Sequence, residues 1–343
     1  METARFAYDL PPELIAQHAV EPRDAARLLV AAPERGEATH ATVAELDRFL
    51  RPGDLLVLNR TRVFPARLFG AKASGGKVEV LLVHRDGAAP DGGDRWRCFV
   101  RGRVRVGSAI TLDGIAATVV GCDEKGDRLL DFPAGVDVLA LCERIGHVPL
   151  PPYIRRGDEA GDRARYQSVF ADSPGSVAAP TASLHLTPAL LERLRALGVE
   201  TALVDLAIGP GTFKPVSSER VEDHAIHAEH CTCPAEVVAA IAACKARGGR
   251  VIAVGTTVVR TLESAAAQPG GLAPYAGWTR IFLHPPQTLR VVDGLLTNFH
   301  LPRSSLLMLV SCLTGVERLL ALYQEAIARR YRFYSYGDAM LIL

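Results

Sequence analysis

The sequence predicts an α/β protein interrupted by a small antiparallel β-barrel or sandwich, and three observations carry that reading. After Gly146, helical patterns alternate with short apolar strands, the texture of a largely parallel sheet covered by helices. Between about Arg62 and Leu130, short alternating strands follow one another across Gly- and Asp-rich turns. The early apolar strand Leu55–Leu58 is too isolated to form its own core, so it is expected to join the later sheet, which makes the β-rich middle an insertion.

In chain order, a helical pattern from Val43 to Leu50 is stopped by Pro52-Gly53, and the strand Leu55–Leu58 follows. The inserted strands are expected at Val63–Leu68, Lys77–Val83, Arg97–Val100, Ala109–Leu112 and Ala117–Val120, with a mobile hairpin tip at Asp86 to Asp94. In the second half, a helix at Pro188–Leu197 precedes a strand at Thr201–Ile208. Thr187 caps that helix, Pro188 suits its first turn, and Gly198 lies just past its end. A second helix, Pro234–Arg247, ends at Gly248-Gly249 and feeds the strand Arg250–Val254. A helix from Val258 to Ala267 and a strand from Arg280 to Leu283 complete the pattern.

With 343 residues, 48% hydrophobic and 22% charged, the chain can build a full core and keep a soluble surface. No apolar run reaches the length of a bilayer span; Leu306–Val310 is closed off by Ser305 and Ser311. The first residues lack the basic-then-apolar pattern of a signal peptide. Seven cysteines with no Cys-x-x-Cys pair suit a reducing compartment. A cytoplasmic protein with no membrane partner is therefore expected. The net charge of +1 does not announce a nucleic-acid partner.

Chemistry is expected beyond the carboxyl ends of the sheet strands. Three such ends carry small and polar residues. In Gly209-Pro-Gly211-Thr212-Phe213, the glycines admit close backbone approach, Thr212 offers a hydroxyl and Phe213 a ring to stack on. In Gly255-Thr256-Thr257, a strand passes into a helix start that favours a carboxylate or phosphate, with Arg260 one turn on. In Asn298-Phe299-His300, amide, ring and imidazole stand side by side. A fourth cluster, His224, His227, Glu229, His230, Cys231 and Cys233, invites a zinc reading but offers no clean four-ligand set, so no metal is expected. Proton transfer or substrate contact suits His224, His227 and Glu229 better.

Arg95, Arg97, Arg101, Arg103 and Arg105 all fall on odd positions, so an unbroken strand would put them on one face. Such a row fits a phosphate backbone as well as it fits a solvated barrel surface. Gly102 is placed to bulge the strand and split the row.

Longer motifs then add a resemblance. Phe6-Ala-Tyr-Asp9-Leu-Pro-Pro-Glu13 near the start, Asn59-Arg60-Thr61-Arg62-Val-Phe-Pro65-Ala-Arg67, and Gly146-His147-Val-Pro-Leu-Pro-Pro152-Tyr153 occur in that order. They are followed by Gly175-Ser-Val-Ala-Ala-Pro180-Thr181-Ala182, Gly255-Thr-Thr257, Arg260-Thr-Leu-Glu263-Ser264, Val292-Asp-Gly294-Leu-Leu-Thr297-Asn298-Phe-His300-Leu-Pro302 and the closing Tyr331-Arg-Phe-Tyr-Ser335-Tyr-Gly-Asp338. This ordered set, running from end to end, resembles the S-adenosylmethionine:tRNA ribosyltransferase-isomerase family of queuosine biosynthesis.

The resemblance implies a barrel-like α/β domain made of residues 1–61 and 147–343, with residues 62–146 as an inserted antiparallel β-barrel domain. It implies a transferase-isomerase that moves the ribosyl group of S-adenosylmethionine onto the aminomethyl group of 7-aminomethyl-7-deazaguanine in a tRNA anticodon. The product is epoxyqueuosine, and adenine and methionine leave. S-adenosylmethionine is then a co-substrate and no cofactor is implied; the expected partners are tRNA and S-adenosylmethionine, and the expected state a monomer. A sulfonium acidifies the 5′ carbon beside it, and adenine leaves more readily when its ring nitrogens are protonated or hydrogen-bonded. His185, His227, Glu229 and His300 are the proton-handling candidates. Arg260, Thr256 and Thr257 are expected to hold the methionine carboxylate, and Phe213 and Phe299 to stack. Asn59, Arg62, Thr181, Gly209, Gly211, Thr212, His224, Gly255 and Asn298 complete the expected substrate site, and Arg97, Arg101, Arg103 and Arg105 the tRNA contacts.

The sequence departs from the family pattern at Arg60, Ser183, Ala207, Arg280 and Pro286, where the family usually has Asp, Gly, His, an acidic residue and Gly. Two further readings follow: a divergent paralogue acting on a small-molecule acceptor, and a non-catalytic tRNA-binding protein that releases no adenine.

Overall fold

The structure is a computed structural model that describes residues 1–32, 36–123, 126–209 and 215–343. Its strands are β1 (Arg27–Ala31), β2 (Thr39–Thr42), β3 (Leu55–Asn59), β4 (Thr61–Val63), β5 (Arg67–Lys72), β6 (Lys77–Ala88), β7 (Asp94–Arg101), β8 (Ala109–Leu112), β9 (Ile115–Cys122), β10 (Arg128–Asp131), β11 (Ser173–Ser176), β12 (Glu200–Leu206), β13 (Glu229–Cys233), β14 (Val251–Val254), β15 (Tyr275–Thr279), β16 (Gly294–Asn298) and β17 (Ala339–Ile342). The α-helices are α1 (Val138–Ile145), α2 (Asp162–Arg165), α3 (Pro188–Ala196), α4 (Ala235–Ala246), α5 (Thr256–Ala266), α6 (Ser305–Thr314) and α7 (Val316–Ala328).

Leu55–Asn59 is apolar on both faces because it lies in the middle of a large sheet. The order is β15-β13-β12-β3-β14-β16-β17-β1-β2, so β3 joins the later strands as the sequence predicts. Leu55 and Val57 pack into one core with residues of α4 to α7, and Leu56 and Leu58 into a second core with α3. The central strands β12, β3, β14 and β16 are parallel, as alternation with helices requires. The flanks are antiparallel: β13 to β12, β15 to β13, and β17 to β16. Beyond β17, β1 pairs parallel to it and β2 antiparallel to β1, so parallel pairing rules the centre and alternates with antiparallel pairing toward the edges.

Residues Arg67–Asp131 close on themselves as an antiparallel barrel in the order β10-β7-β6-β5-β8-β9. Alternation sends Val78, Val80, Leu82, Trp96 and Cys98 inward, and α1 plugs the core with Leu141 and Cys142. The α/β fold with an antiparallel barrel between its early and late strands is thus as expected.

Local expectations need four adjustments. Val43–Leu50 forms six residues of 3-10 helix, Val43–Arg48, held by a capping box between Thr42 and Glu45. The expected strand Val63–Leu68 divides around Pro65, which lacks an N–H for a ladder; β4 pairs with β11 and β5 with the barrel. The hairpin of β6 and β7 is paired almost to its tip, where Ala89 N donates to Gly93 O at 2.8 Å. The last predicted strand lies earlier than Arg280–Leu283, at Tyr275–Thr279, where pairing with β13 overrides the weak strand preference of Gly277.

Candidate active site

Parallel order brings the carboxyl ends of β3, β12, β14 and β16, at Asn59, Leu206, Val254 and Asn298, to one rim of the sheet. Antiparallel β13 and β17 bring their amino ends, Glu229 and Ala339, to the same rim. Two neighbouring clefts open there, and the side chain of Leu306 belongs to the walls of both.

The first cleft spans about 660 Å³ of space, counted together with the solvent at its mouth. It gathers Thr181, Gly255, Thr256, Thr257, Asn298, Phe299 and His300 from the sequence-expected set, Phe299 as part of its floor. Two helices of ten residues or more begin at its wall: α5 at Thr256, and α6 after Ser304, whose Oγ accepts from Leu307 N at 3.2 Å. Helix starts present unpaired N–H groups and positive potential, which suits a carboxylate. Gly255 lets α5 start here by adopting φ +92° and ψ 152°, a conformation essentially restricted to glycine. Gly255→Ala is expected to cost about 1–3 kcal/mol in chemical denaturation and to weaken binding of any ligand held at the α5 start, because that start must shift.

Asn298 is fixed in one orientation. Its Nδ2 donates to the Tyr334 carbonyl at 3.1 Å, which can only accept, and to His185 Nε2 at 3.1 Å. His185 must then carry its proton on Nδ1. Asn298 Oδ1 is left buried with no partner among the described residues, an acceptor at the cleft wall for a ligand N–H or hydroxyl. His185 itself lies behind Asn298 and outside the lining of either cleft. Burial, aided by Arg165 and Arg332, pushes its pKa down to about 3. His300 does line the cleft; Thr297 Oγ1 holds its Nε2 at 2.8 Å, and burial lowers its pKa to about 3.

Both histidines are therefore neutral in the fold at any moderate pH, whereas in the unfolded chain they take up protons near pH 6.5. The unfolded state binds more protons below that value, so the stability present above pH 6.5 drains away as pH falls toward 3. Each histidine contributes a slope of about 1.4 kcal/mol per pH unit well inside that window. Denaturation midpoints between pH 7 and 5 are expected to fall steeply, and to fall less steeply in a His185→Gln protein.

The second cleft, with about 460 Å³ of open space, gathers His224, His227, Glu229 and Arg260 with Phe282. Glu229 Oε1 accepts from Gly209 N at 2.9 Å, and Glu229 Oε2 accepts from Arg260 Nη1 in a buried ion pair. Burial lowers Arg260 to about 10, which leaves it charged at neutral pH. The guanidinium is thus already balanced by Glu229 and is not a free counter-charge for a carboxylate.

Other expected residues fall elsewhere. Asn59 lies outside both clefts and has four hydrogen bonds within the protein, to both backbone groups of Leu206, to Thr61 N and to Thr257 Oγ1; it braces β3 against β12 and α5. Arg62 lines a separate hollow beside Glu143. The Phe299 ring is wholly buried among Tyr323, Tyr331 and Phe333 at 4.9–5.6 Å, so it anchors the floor and offers no stacking face. Gly211, Thr212 and Phe213 lie outside the described residues.

The arginine row is broken. β7 ends at Arg101, and Gly102 turns the chain with φ +135° before Arg103 and Arg105. Arg95 pairs with Asp131, and Arg97 with Asp123 at 2.8 Å and Asp86 at 3.6 Å, so a continuous charged stripe does not form. The histidine–cysteine cluster is split by strand alternation: Cys231 and Cys233 are buried on one face of β13, and His230 stacks on Trp278 on the other. Among the described residues, no group of three or more His, Cys, Asp or Glu is placed to hold a metal.

Sequence reasoning assigned no role to Tyr153 and Tyr334, whose rings lie 4.6 Å apart at the first cleft, where Tyr153 OH meets Ser335 Oγ at 2.5 Å. Both stand inside motifs quoted above, but neither follows a sheet strand, so the strand-end rule passes over them.

A family model described as "Queuosine biosynthesis protein" matches residues 3–342. A protein of an Anaeromyxobacter species is 51% identical, covering 100% of this chain and 99% of its own length. One of Pelobacter propionicus is 52% identical with complete coverage of both. Both carry the name S-adenosylmethionine:tRNA ribosyltransferase-isomerase. A crystal structure of an S-adenosylmethionine tRNA ribosyltransferase from Thermotoga maritima is 38% identical, with a TM-score of 0.57, covering 99% of this chain and 100% of that one. Matched along its whole length by sequence and by fold, the chain belongs to the queuosine biosynthesis protein family.

Proposed function

We propose that this chain is an S-adenosylmethionine-dependent tRNA ribosyltransferase-isomerase. It moves the ribosyl group onto the aminomethyl group of a 7-deazaguanine in the tRNA anticodon and releases adenine and methionine. The observation that carries this is the make-up of the first cleft. Two helix starts at Thr256–Thr257 and Ser304 suit the methionine carboxylate, the Asn298 oxygen takes a nucleoside N–H or hydroxyl, and Tyr153 and Tyr334 offer aromatic surface. His300, neutral and inside that cleft, is placed to hydrogen-bond the departing adenine.

None of the departures from the family pattern reaches either cleft. Arg60 donates to Asp205 at 3.0 Å and has Asp172 at 3.8 Å, so its charge is absorbed on the protein's own carboxylates. Ser183, Ala207, Arg280 and Pro286 are likewise absent from both linings. That favours the family's acceptor over a changed one.

Mass spectrometry of tRNA and small molecules after incubation with S-adenosylmethionine tests donor, acceptor and products together. Free adenine, free methionine and a ribosyl-modified 7-deazaguanine in tRNA are expected. Ribosyl transfer to a free small molecule, with adenine released and tRNA untouched, contradicts the assignment.

A further inference from the structure

We propose that the second cleft is the acceptor-base subsite, taking a guanine-type base whose hydrogen-bonding edge is read by the Glu229–Arg260 pair. This rests on the function proposed above and adds where the base sits. Arg260 is fully committed at two points, Nη1 to Glu229 and Nε to the Ile281 carbonyl at 3.4 Å. Its Nη2 is buried without a partner among the described residues, on a side chain 7% exposed. A buried guanidinium N–H left unmet costs stability unless a ligand meets it.

The character of that ligand follows from the charges. An anion held by Arg260 would sit beside the Glu229 carboxylate and be repelled by it, so the pair selects against a carboxylate or phosphate. A neutral group with an acceptor next to donors is complementary. The six-membered ring of a guanine-type base has that pattern: the 6-oxo group accepts, while N1–H and the 2-amino group donate. Arg260 Nη2 supplies the donor for the oxo group, and the Glu229 carboxylate, which lines the same cleft, is the acceptor type that the ring donors need. Phe282 adds a partly exposed aromatic wall, with His224 edge-on to it at 5.2 Å.

The two clefts then divide the reactants. The carboxylate-bearing donor lies against the helix starts of α5 and α6, and the base lies across Leu306 from it, with its aminomethyl arm free to reach the ribose. Thr256 and Arg260, one turn apart on α5, face the two sides of that divide.

Arg260→Lys tests this while keeping a cation for Glu229, because an ammonium lacks the spare planar N–H. Equilibrium binding of free 7-aminomethyl-7-deazaguanine is expected to weaken by about tenfold or more, the scale of one lost specific base contact. S-adenosylmethionine affinity should stay within about twofold. Phe282→Ala, which leaves the ion pair untouched, is expected to show the same split and serves if the lysine protein does not fold. Loss of S-adenosylmethionine affinity with unchanged base affinity, or no change in either, overturns the proposal. The wild-type protein reads the function separately: a failure to release adenine with tRNA would sink the assignment, whereas product formation with unaltered base binding in both variants would sink only the subsite.

Discussion

His300→Gln is expected to lower turnover by about 10²–10⁴-fold, the usual contribution of one placed proton-handling group. S-adenosylmethionine affinity should change by no more than a few-fold. The argument begins with Leu295–Asn298, buried on both faces, which fixes the end of β16 and therefore Thr297. Thr297 Oγ1 holds one imidazole nitrogen, and Tyr323 OH accepts from the His300 backbone N–H at 2.9 Å, so ring and backbone are both set. Nδ1 has no hydrogen-bond partner among the described residues and is the atom left for a ligand. With its pKa near 3, the ring acts as a neutral imidazole, a hydrogen-bond partner to a leaving base rather than a charged acid. Between pH 5 and 8 the rate should therefore show no inflection belonging to His300. Single-turnover adenine release measures the effect; a glutamine protein within threefold of wild type would remove His300 from the chemistry.

Glu229→Leu is expected to destabilise the protein by about 3–5 kcal/mol, the penalty for leaving one member of a buried ion pair uncompensated. Glu229 and Arg260 side chains are 5% and 7% exposed, so water cannot take over for the missing carboxylate. Gly209 N loses its acceptor as well. Glu229→Gln retains shape and an acceptor oxygen and should lose less. The double variant Glu229→Leu with Arg260→Met should recover much of the loss, because replacing both charges by apolar groups removes the unpaired ion. Urea denaturation of the four proteins checks the pattern; a leucine variant within about 1 kcal/mol of wild type would show that the pair is solvated.

These effects depend on features that were unevenly legible in the sequence. The membership of β3 in the late sheet was readable because an isolated apolar strand has nowhere else to go. Thr187, Pro188 and Gly198 gave α3 its ends, and Thr187 Oγ1 does accept from Leu190 N at 3.1 Å. The rim residues Gly255, Thr256, Thr257, Asn298 and His300 were found because strand ends in a parallel sheet converge, and they line one cleft.

What failed to read did so for physical reasons. Periodicity put five arginines on one face, but only tertiary structure shows that Asp123 and Asp131 neutralise two of them and that the chain turns at Gly102 before Arg103 and Arg105. An aromatic residue in a conspicuous motif looks the same in sequence whether its ring faces a cleft, as Tyr334 does, or a core, as Phe299 does. Arg260 looked like a carboxylate ligand because its partner Glu229 lies 31 residues away, on β13. Asn59 looked like a ligand contact because an amide at a strand end is equally suited to bracing backbone.

The account stands or falls on where S-adenosylmethionine binds. A crystal structure of the protein soaked with it should show the methionine carboxylate at the starts of α5 and α6, beside Thr256, Thr257 and Ser304, with the nucleoside against Asn298 and His300. Density for the ligand in the Glu229–Arg260 cleft, or on the barrel, would contradict it.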